Sequence, residues 1–178
     1  YKYESLKNNR PMNKTILLEK RPFGKPQLSD FKFVSSEEET ITSGEMLLKT
    51  TYVSVDPYLR GRMNDVKSYI PPFELHKPIS SGIVAEVIDS KNPAFKKGDF
   101  VTGLLEWKEY QKSNGEGLLK ADGSKAPLSA YLGVLGLTGL TAYLGLTEIG
   151  KPKKGETIVV SGAAGAVGSV VGQIAKIY

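Results

Sequence analysis

The chain has 178 residues, of which 40 % are hydrophobic and 24 % charged, a composition typical of globular proteins. It contains no cysteine and a single histidine, His76, which excludes disulfides and thiolate zinc sites and argues against a metal-dependent reaction. The net charge of +5 suits an anionic ligand, but the lysines and arginines are scattered along the chain, which argues against nucleic-acid binding.

The most apolar stretch, residues 131–146, is interrupted by glycines and threonines. It is also shorter than the roughly 20 apolar residues that a membrane-spanning helix needs. No basic segment leads into an apolar run after Tyr1, so the sequence predicts no secretory signal. We therefore expect a cytoplasmic protein with no membrane partner.

Up to about residue 125, short segments rich in β-branched and aromatic residues alternate with Gly, Pro, Asn and Asp. The predicted strands are 15–19, 31–34, 45–55, 83–88 and 100–104. This spacing predicts a compact β-barrel or sandwich.

From Pro127 onward the period of the apolar residues changes to that of a helix, which ends at Gly150 and Pro152. Residues 157–161 then form a continuous apolar run, typical of a strand buried on both faces of a parallel sheet. A glycine-rich turn, 162–168, follows, and after it comes a helix. The apolar stripe of that helix is Val167, Val170, Val171, Ile174 and Ile177. The predicted order is strand, turn, helix.

A strand that runs through small residues into a helix gathers backbone N–H groups and the positive end of the helix dipole at one point, where phosphate binds. Gly162 and Gly165 allow a sharp turn with no Cβ in the way, and Gly168 and Gly172 allow the helix to lie close to the strand. The spacing is Gly-x-x-Gly-x-x-Gly instead of the commoner Gly-x-Gly-x-x-Gly. The alternative interpretation is a tight turn without a ligand.

Several segments in the same order resemble the medium-chain dehydrogenase/reductase superfamily, and within it the zinc-free branch of prostaglandin and alkenal double-bond reductases. The similar segments are 131–143, 155–176, Ser-Val-Asp-Pro-Tyr-Leu-Arg-Gly-Arg-Met at 54–63 and Gly-Leu-Leu-Glu-Trp-Lys-Glu-Tyr at 103–110. Together they cover the chain from about residue 10 to its end.

The resemblance implies an α/β protein with a β-rich part. Residues 1–128 would form a GroES-like β-barrel domain, and residues 129–178 the first βα unit of a Rossmann dinucleotide-binding domain. It implies NADPH-dependent reduction of the C=C bond of α,β-unsaturated aldehydes or ketones, with NADP as cofactor, no zinc and a homodimeric enzyme. A quinone oxidoreductase of the same fold, or a non-catalytic NADP-binding or structural relative, is the alternative. The absence of cysteine agrees with the zinc-free branch.

The resemblance also assigns residues. Tyr58 is placed near the nicotinamide as the catalytic residue, and Thr141 contacts the nicotinamide end. The remaining cofactor-binding residues are Gly162, Ala164, Gly165, Ala166, Val167 and Gly168. Without the resemblance, Tyr58 is equally well a half-buried core tyrosine. Thr141 would then be a helix residue whose hydroxyl bonds back to the preceding turn.

Other conspicuous residues have structural interpretations. Asp56 suits a helix cap, and Asp56 with Arg60, four residues on, forms a candidate structural pair. His76 is predicted to be a loop histidine and not a catalytic base. Trp107 and Tyr110 either line a substrate pocket or, as is commoner on β domains, fill the core.

One strand and one helix cannot build a doubly wound sheet, so the sequence predicts further residues after Tyr178. In the resembling family that missing part holds the residue that separates NAD from NADP. The NADP preference therefore comes from the resemblance alone. An unpaired strand at 157–161 also predicts that these residues by themselves are unstable or borrow a partner's surface.

Overall fold

The computed structural model describes residues 12–37 and 39–178. The chain divides into two compact units, one ending at Leu119 and the other beginning at Lys120. The first unit is built of strands and the second mainly of helices.

Two antiparallel sheets make up the β-rich part. The strands are β1 (Asn13–Leu18), β2 (Phe31–Ser36), β3 (Met46–Val53), β4 (Ser80–Ser90), β5 (Phe100–Glu106), β6 (Tyr110–Ser113) and β7 (Leu119–Ala121). β1 pairs with β2, and the other five form a sheet in the order β6-β3-β4-β5-β7. β4 lies at the centre of this sheet, where it pairs antiparallel with both β3 and β5.

The core of the first unit consists of two clusters of buried apolar side chains. One lies on the five-stranded sheet and contains Met46, Leu48, Ile83, Ala85, Val87 and Val101. The other contains Leu18, Leu59, Met63, Phe73 and Ile79. Trp107 packs against both clusters, and its indole N–H donates to Ser81 Oγ at 2.8 Å. The second cluster anchors a short helix, α1 (Pro57–Arg62), through Leu59.

The β-rich character predicted for this part is confirmed, since the five predicted strands overlap β1 to β5. The sequence did not predict β6 and β7. The four residues Tyr-Gln-Lys-Ser of β6 carry no apolar alternation, and they are extended because they pair with the edge of β3. That pairing depends on residues more than 60 positions earlier, which local pattern does not encode.

The helical elements of the second unit are a 3-10 turn (Leu128–Leu132), α2 (Leu137–Leu144), a π-helical turn (Gly145–Gly150) and α3 (Gly168–Ile177). The helical run expected up to Gly150 is confirmed. The helical run ends at Gly150, and the next residue, Lys151, has a left-handed φ of 46°. No helix within the described ranges is long and apolar enough to cross a membrane.

The strand predicted at 157–161 is wrong as a description of this structure. Residues 157–160 make no strand ladder with any part of the chain that the structure describes, and Val159 is 92 % exposed. A strand is defined by hydrogen bonds to a neighbour, so an apolar run without a neighbouring strand stays irregular whatever its β-propensity. The turn and helix that follow it are present.

Candidate functional site

The turn 162–168 is tightly wound and depends on glycine at two positions. Gly162 has a φ of 62°, and its carbonyl accepts a hydrogen bond from the N–H of Gly165 at 2.8 Å. A Cβ placed on Gly168 would collide with that same carbonyl oxygen of Gly162. The chain then enters α3, where Ser169 N–H donates to Gly165 O at 3.0 Å. Glycine at 162 and 168 therefore fixes the shape of the turn.

This turn leaves backbone donors free at the positive end of α3. Within the described residues, no hydrogen bond uses the N–H groups of Ala164, Ala166, Val167 or Gly168. Ala166, Val167 and Gly168 border an open cleft of about 560 Å³ formed by residues 158–162, 165–168 and 171. Free amides combined with the N-terminal end of a ten-residue helix provide the chemistry that binds an anion.

Thr141 lies on α2, which packs against α3 in the same unit. Its side chain is exposed, and its hydroxyl donates to Leu137 O at 2.7 Å. This is the bond to the preceding turn that the sequence suggested as the alternative. The hydroxyl oxygen keeps lone pairs for accepting, so a cofactor contact stays a prediction.

Tyr58 belongs to the other unit, on α1. Asp56 occupies the position before this helix, but its carboxylate accepts from Ser54 Oγ at 2.7 Å and makes no cap bond to the helix backbone. The ring of Tyr58 is half-buried against the second core cluster. Burial raises the pKa of its phenol, the nearby charges of Asp56 and Tyr69 raise it further, and Arg62 acts in the opposite direction.

A second cavity opens beside Tyr58. It has a volume of about 330 Å³ and is lined by α1 and the loop after it. The lining side chains include Tyr58, Arg62, Asn64, Lys67, Ser68 and Tyr69. The phenol therefore faces a space that admits a small organic molecule.

The sequence did not single out Arg62, which shares the cavity with Tyr58. Its Nε donates to Pro71 O at 3.0 Å, and its guanidinium lies 3.9 Å above the ring centre of Phe73. Its Nη1 is buried and has no hydrogen-bond partner within the described residues. The sequence did contain one indication of this residue: Arg62 follows Tyr58 by four positions, a spacing that places two side chains on the same face of a helix.

The proposed pair of Asp56 and Arg60 does not form. Arg60 instead donates from Nε and Nη2 to Gly24 O at 3.0 and 2.8 Å, and from Nη2 to Pro22 O at 3.0 Å. Its remaining Nη1 donates to Asn64 Oδ1 at 2.7 Å. The guanidinium prefers these oxygens because they match its fork of donors. Arg60 therefore ties the loop around Gly24 to α1.

The other conspicuous side chains have structural contacts. His76 is an exposed residue with a φ of 62°, and its ring lies 3.2 Å from the carboxylate of Glu19. Trp107 packs against the core. The backbone of Tyr110 is bound by the side chain of Asn13: Tyr110 N–H donates to Asn13 Oδ1 at 2.9 Å, and Asn13 Nδ2 donates to Tyr110 O at 2.7 Å. Across residues 12–37 and 39–178, no three His, Asp or Glu side chains gather as a metal site would require.

A family model described as the N-terminal domain of oxidoreductase matches residues 14–121, more than half of the chain. The chain belongs to this oxidoreductase family. Its relatives place it in the medium-chain dehydrogenase/reductase superfamily, as the sequence motifs indicated.

Two curated relatives illustrate the family. The chain is 58 % identical over 162 residues to YfmJ of Bacillus subtilis, which is named as an NADP-dependent oxidoreductase. The alignment covers 91 % of this chain and 48 % of the relative. It is 41 % identical over 169 residues to the NADP-dependent 2-alkenal reductase of Nicotiana tabacum, covering 92 % and 49 %. The chain thus spans about half the length of the curated relatives it matches.

A solved structure of the same superfamily shows the fold. CurA of Vibrio vulnificus in complex with NADPH superposes with a TM-score of 0.81 at 44 % identity, over 92 % of this chain and 49 % of that one. The fold class expected from the sequence, a β-rich part followed by the start of a dinucleotide-binding unit, is confirmed at this level.

The turn 162–168 fits the diphosphate of a dinucleotide. Gly168 packs so closely against Gly162 O that a side chain there would collide with it, and the turn leaves the N–H groups of Ala164, Ala166, Val167 and Gly168 without a hydrogen-bond partner among the described residues. The residues that would hold the group are those predicted from the sequence: Gly162, Ala164, Gly165, Ala166, Val167 and Gly168. Of these, Gly162 and Gly168 shape the turn, and Ala164, Ala166, Val167 and Gly168 carry unpaired donors.

Proposed function

We propose that the natural protein containing this chain uses NADPH to reduce the C=C bond of α,β-unsaturated aldehydes or ketones. The observation that carries the proposal is the turn 162–168, with its free N–H groups at the start of α3. Membership of a family with an NADP-dependent 2-alkenal reductase among its relatives supports the choice of reaction. We assign residues 1–128 to the substrate-binding GroES-like domain and residues 129–178 to the start of the Rossmann domain.

In this proposal the bound NADPH supplies the hydride. The residues of the chain bind the cofactor and orient the substrate. The unpaired N–H groups of Ala164, Ala166, Val167 and Gly168 bind the diphosphate, and Thr141 accepts at the nicotinamide end. Tyr58 lies in the cavity beside α1 and meets the substrate.

The protonation state of Tyr58 suits this role. Its phenol has a raised pKa because it is half-buried and close to the charge of Asp56, so it stays protonated well above neutral pH. A protonated phenol donates a hydrogen bond to the carbonyl oxygen, where negative charge develops as hydride reaches the far end of the conjugated bond. Tyr58 would therefore stabilise the charge without changing its own ionisation.

We also propose that the reaction needs no zinc, because the sequence has no cysteine and one histidine. A homodimer and a cytoplasmic location are the sequence-based expectations for the natural protein.

The test is NADPH oxidation, followed by absorbance, with a 2-alkenal, an α,β-unsaturated ketone and a quinone as separate acceptors. We expect turnover with the alkenal and the ketone, a saturated product with the carbonyl intact, and no loss of activity in a strong zinc chelator. Preferential turnover of the quinone would replace the proposal with the quinone oxidoreductase alternative. Tight NADPH binding with no turnover of any acceptor would support a non-catalytic relative.

A further inference from the structure

Arg62 carries a positive charge that no acidic side chain neutralises. No carboxylate lies within ion-pair distance of its guanidinium in the part of the chain that the structure describes. The two nearest acids in the sequence are engaged elsewhere: Asp56 accepts from Ser54 Oγ, and Asp65 lies 4.0 Å from Arg21 Nη2. A partly buried guanidinium without a counter-charge costs free energy of folding, and such a cost is typical of a residue with a functional role.

The guanidinium is held in place by neutral groups. Its Nε donates to Pro71 O at 3.0 Å, and its flat face lies 3.9 Å from the ring centre of Phe73. The backbone is tied in the same way, since Phe73 N–H donates to Arg62 O at 2.7 Å. Nη1 is shielded from water and has no hydrogen-bond partner within residues 12–37 and 39–178. The charge is therefore fixed at a position where water screens its field less than at the surface.

This charge lies close to the phenol of Tyr58. Arg62 follows Tyr58 by four positions on α1, a spacing that makes two side chains neighbours on one face of a helix, and both line the same cavity. Asp56 and Tyr69 raise the pKa of the phenol, and Arg62 lowers it. The core cluster against which the ring packs is apolar and adds no charge. Lys67, the other cation of the cavity, is exposed, so solvent screens it.

A fixed positive charge beside a phenol changes what the phenol can do for a reaction. It favours the build-up of negative charge on the phenol oxygen, and the O–H then donates more strongly to an oxyanion. In the ground state the substrate carbonyl is neutral and gains little from a stronger donor. As hydride arrives, negative charge develops on that oxygen and the gain grows. Such an effect acts on kcat more than on KM.

We propose that Arg62 is a positioning residue for the reduction: its fixed, unneutralised charge acts through Tyr58 and strengthens the hydrogen bond that Tyr58 donates to the substrate carbonyl. This inference rests on the proposed function, because it assigns a further residue to the same reaction. Arg62 itself touches neither the substrate nor the cofactor in this role.

The kinetic experiment uses the natural protein with a 2-alkenal. Arg62→Gln removes the charge and should lower kcat about tenfold, while the KM for the alkenal and the Kd for NADPH stay within about twofold. Arg62→Lys keeps the charge and should recover most of kcat. Lys77→Gln removes an exposed cation outside the cavity and should leave kcat within about twofold.

A double-mutant cycle tests whether Arg62 acts through Tyr58. In a Tyr58→Phe background the phenol is absent, so Arg62→Gln should lower kcat less than about twofold further. The same tenfold loss in both backgrounds would mean that Arg62 acts independently of the phenol, and this would overturn the proposal.

A titration separates the electrostatic role from a merely structural one. With 3-fluorotyrosine in place of Tyr58, a single ¹⁹F signal follows the ionisation of this phenol alone among the nine tyrosines. In Arg62→Gln its midpoint should rise by about half a pH unit or more, and in Arg62→Lys it should stay near the wild-type value. Loosened packing would instead expose the phenol to water and lower the midpoint. An unmoved or lowered midpoint in a folded variant overturns the proposal.

A further measurement does not depend on the folding of the Arg62 variants. If thermal melts show that they unfold, the protein with Arg62 intact is compared with tyrosine and with 3-fluorotyrosine at position 58, at a pH where the ¹⁹F signal shows the phenol protonated. The fluorinated ring is more acidic and should raise kcat, because the proposal makes donor strength limiting. An unchanged or lower kcat overturns it.

Failure of the proposed function would look different. If no enone is reduced, the ¹⁹F titration still measures the action of Arg62 on the phenol. A midpoint that rises in Arg62→Gln then supports the electrostatic pairing without the reductase, and an unmoved midpoint removes the pairing as well.

Discussion

Gly168 and Gly172 lie four residues apart on α3 and differ in what surrounds them. A Cβ on Gly168 would collide with Gly162 O, whereas a Cβ on Gly172 would meet no atom within 4 Å. Substitutions at the two positions therefore distinguish an effect on the turn, at Gly168, from an effect on the helix alone, at Gly172. The sequence assigned both glycines to close packing, and only the first has that role within the described residues.

We predict that Gly168→Ala weakens NADPH binding at least about tenfold, because the added methyl group displaces the carbonyl that shapes the diphosphate turn. Gly172→Ala is the matched control. It should leave the Kd within about twofold and stabilise the helix by about 0.5 to 1 kcal/mol. Fluorescence titration with NADPH and thermal melts of both variants provide the check, and equal affinities would show that the turn does not bind the diphosphate.

Tyr58 gives a prediction about pH. Its phenol has a raised pKa in the folded state, chiefly through burial, so the folded protein binds this proton more tightly than the unfolded chain does. Its contribution to stability is therefore complete below the ordinary tyrosine pKa of about 10 and is lost as the pH rises toward the folded value. We expect Tyr58→Phe to lose less stability than the wild type between neutral and strongly alkaline pH.

Ultraviolet difference titration of the wild type against Tyr58→Phe measures the same group directly. The phenolate absorbance that the substitution removes should appear at a pH above the ordinary tyrosine pKa of about 10. A signal at or below that value would mean that Tyr58 is exposed to water, and would weaken its assignment as a protonated donor in the cavity.

At the scale of elements, α1 is held in place by arginines from two directions. Arg60 reaches from the helix to Pro22 O and Gly24 O, and Arg21 Nη1 reaches back to Met63 O at 3.1 Å and Phe73 O at 2.8 Å. A six-residue helix is too short to be stable alone. These contacts and the burial of Leu59 therefore keep α1, and with it Tyr58, in position.

We predict that Arg60→Ala lowers the free energy of unfolding by about 1 to 2 kcal/mol, because the carbonyls of Pro22 and Gly24 lose a charged donor. Lys14→Ala, an exposed cation on β1, is the control and should change it by less than about 0.5 kcal/mol. Chemical denaturation measures both. Equal effects for the two variants would show that the loop contact contributes nothing to stability.

At the scale of the whole molecule, the two units differ in how their backbones are satisfied. β4 is paired on both sides and its buried residues include Ile83, Val84, Ala85 and Val87. Residues 157–160 have no ladder, and Val159 is almost fully exposed. We therefore expect β4 to be locally more stable than residues 157–160.

We predict that, in a protein of these 178 residues, the amides of residues 157–160 exchange with deuterium at the shortest labelling times while those of β4 remain protected. Hydrogen-exchange mass spectrometry resolves the two segments. Slow exchange at 157–160 that persists on dilution would mean that the segment is paired within the chain. Slow exchange that disappears on dilution would mean that a second copy covers it.

The sequence by itself determined the local features of this protein. Alternating β-branched residues predicted β1 to β5, and the glycines from 162 to 168 predicted the turn before α3, because strand propensity and positive φ depend on neighbouring residues. The order of motifs then identified the superfamily. These features depend on a few consecutive residues, which is why pattern and spacing were sufficient.

The tertiary structure alone decided the features that depend on distant residues. β6 is a strand because β3 offers it an edge, whereas residues 157–160 are not, because no described strand offers one. Arg60 bonds carbonyls 36 and 38 positions away instead of Asp56. Hydrogen bonding and burial are satisfied by whatever lies nearby in space, and that proximity is established only when the chain is folded.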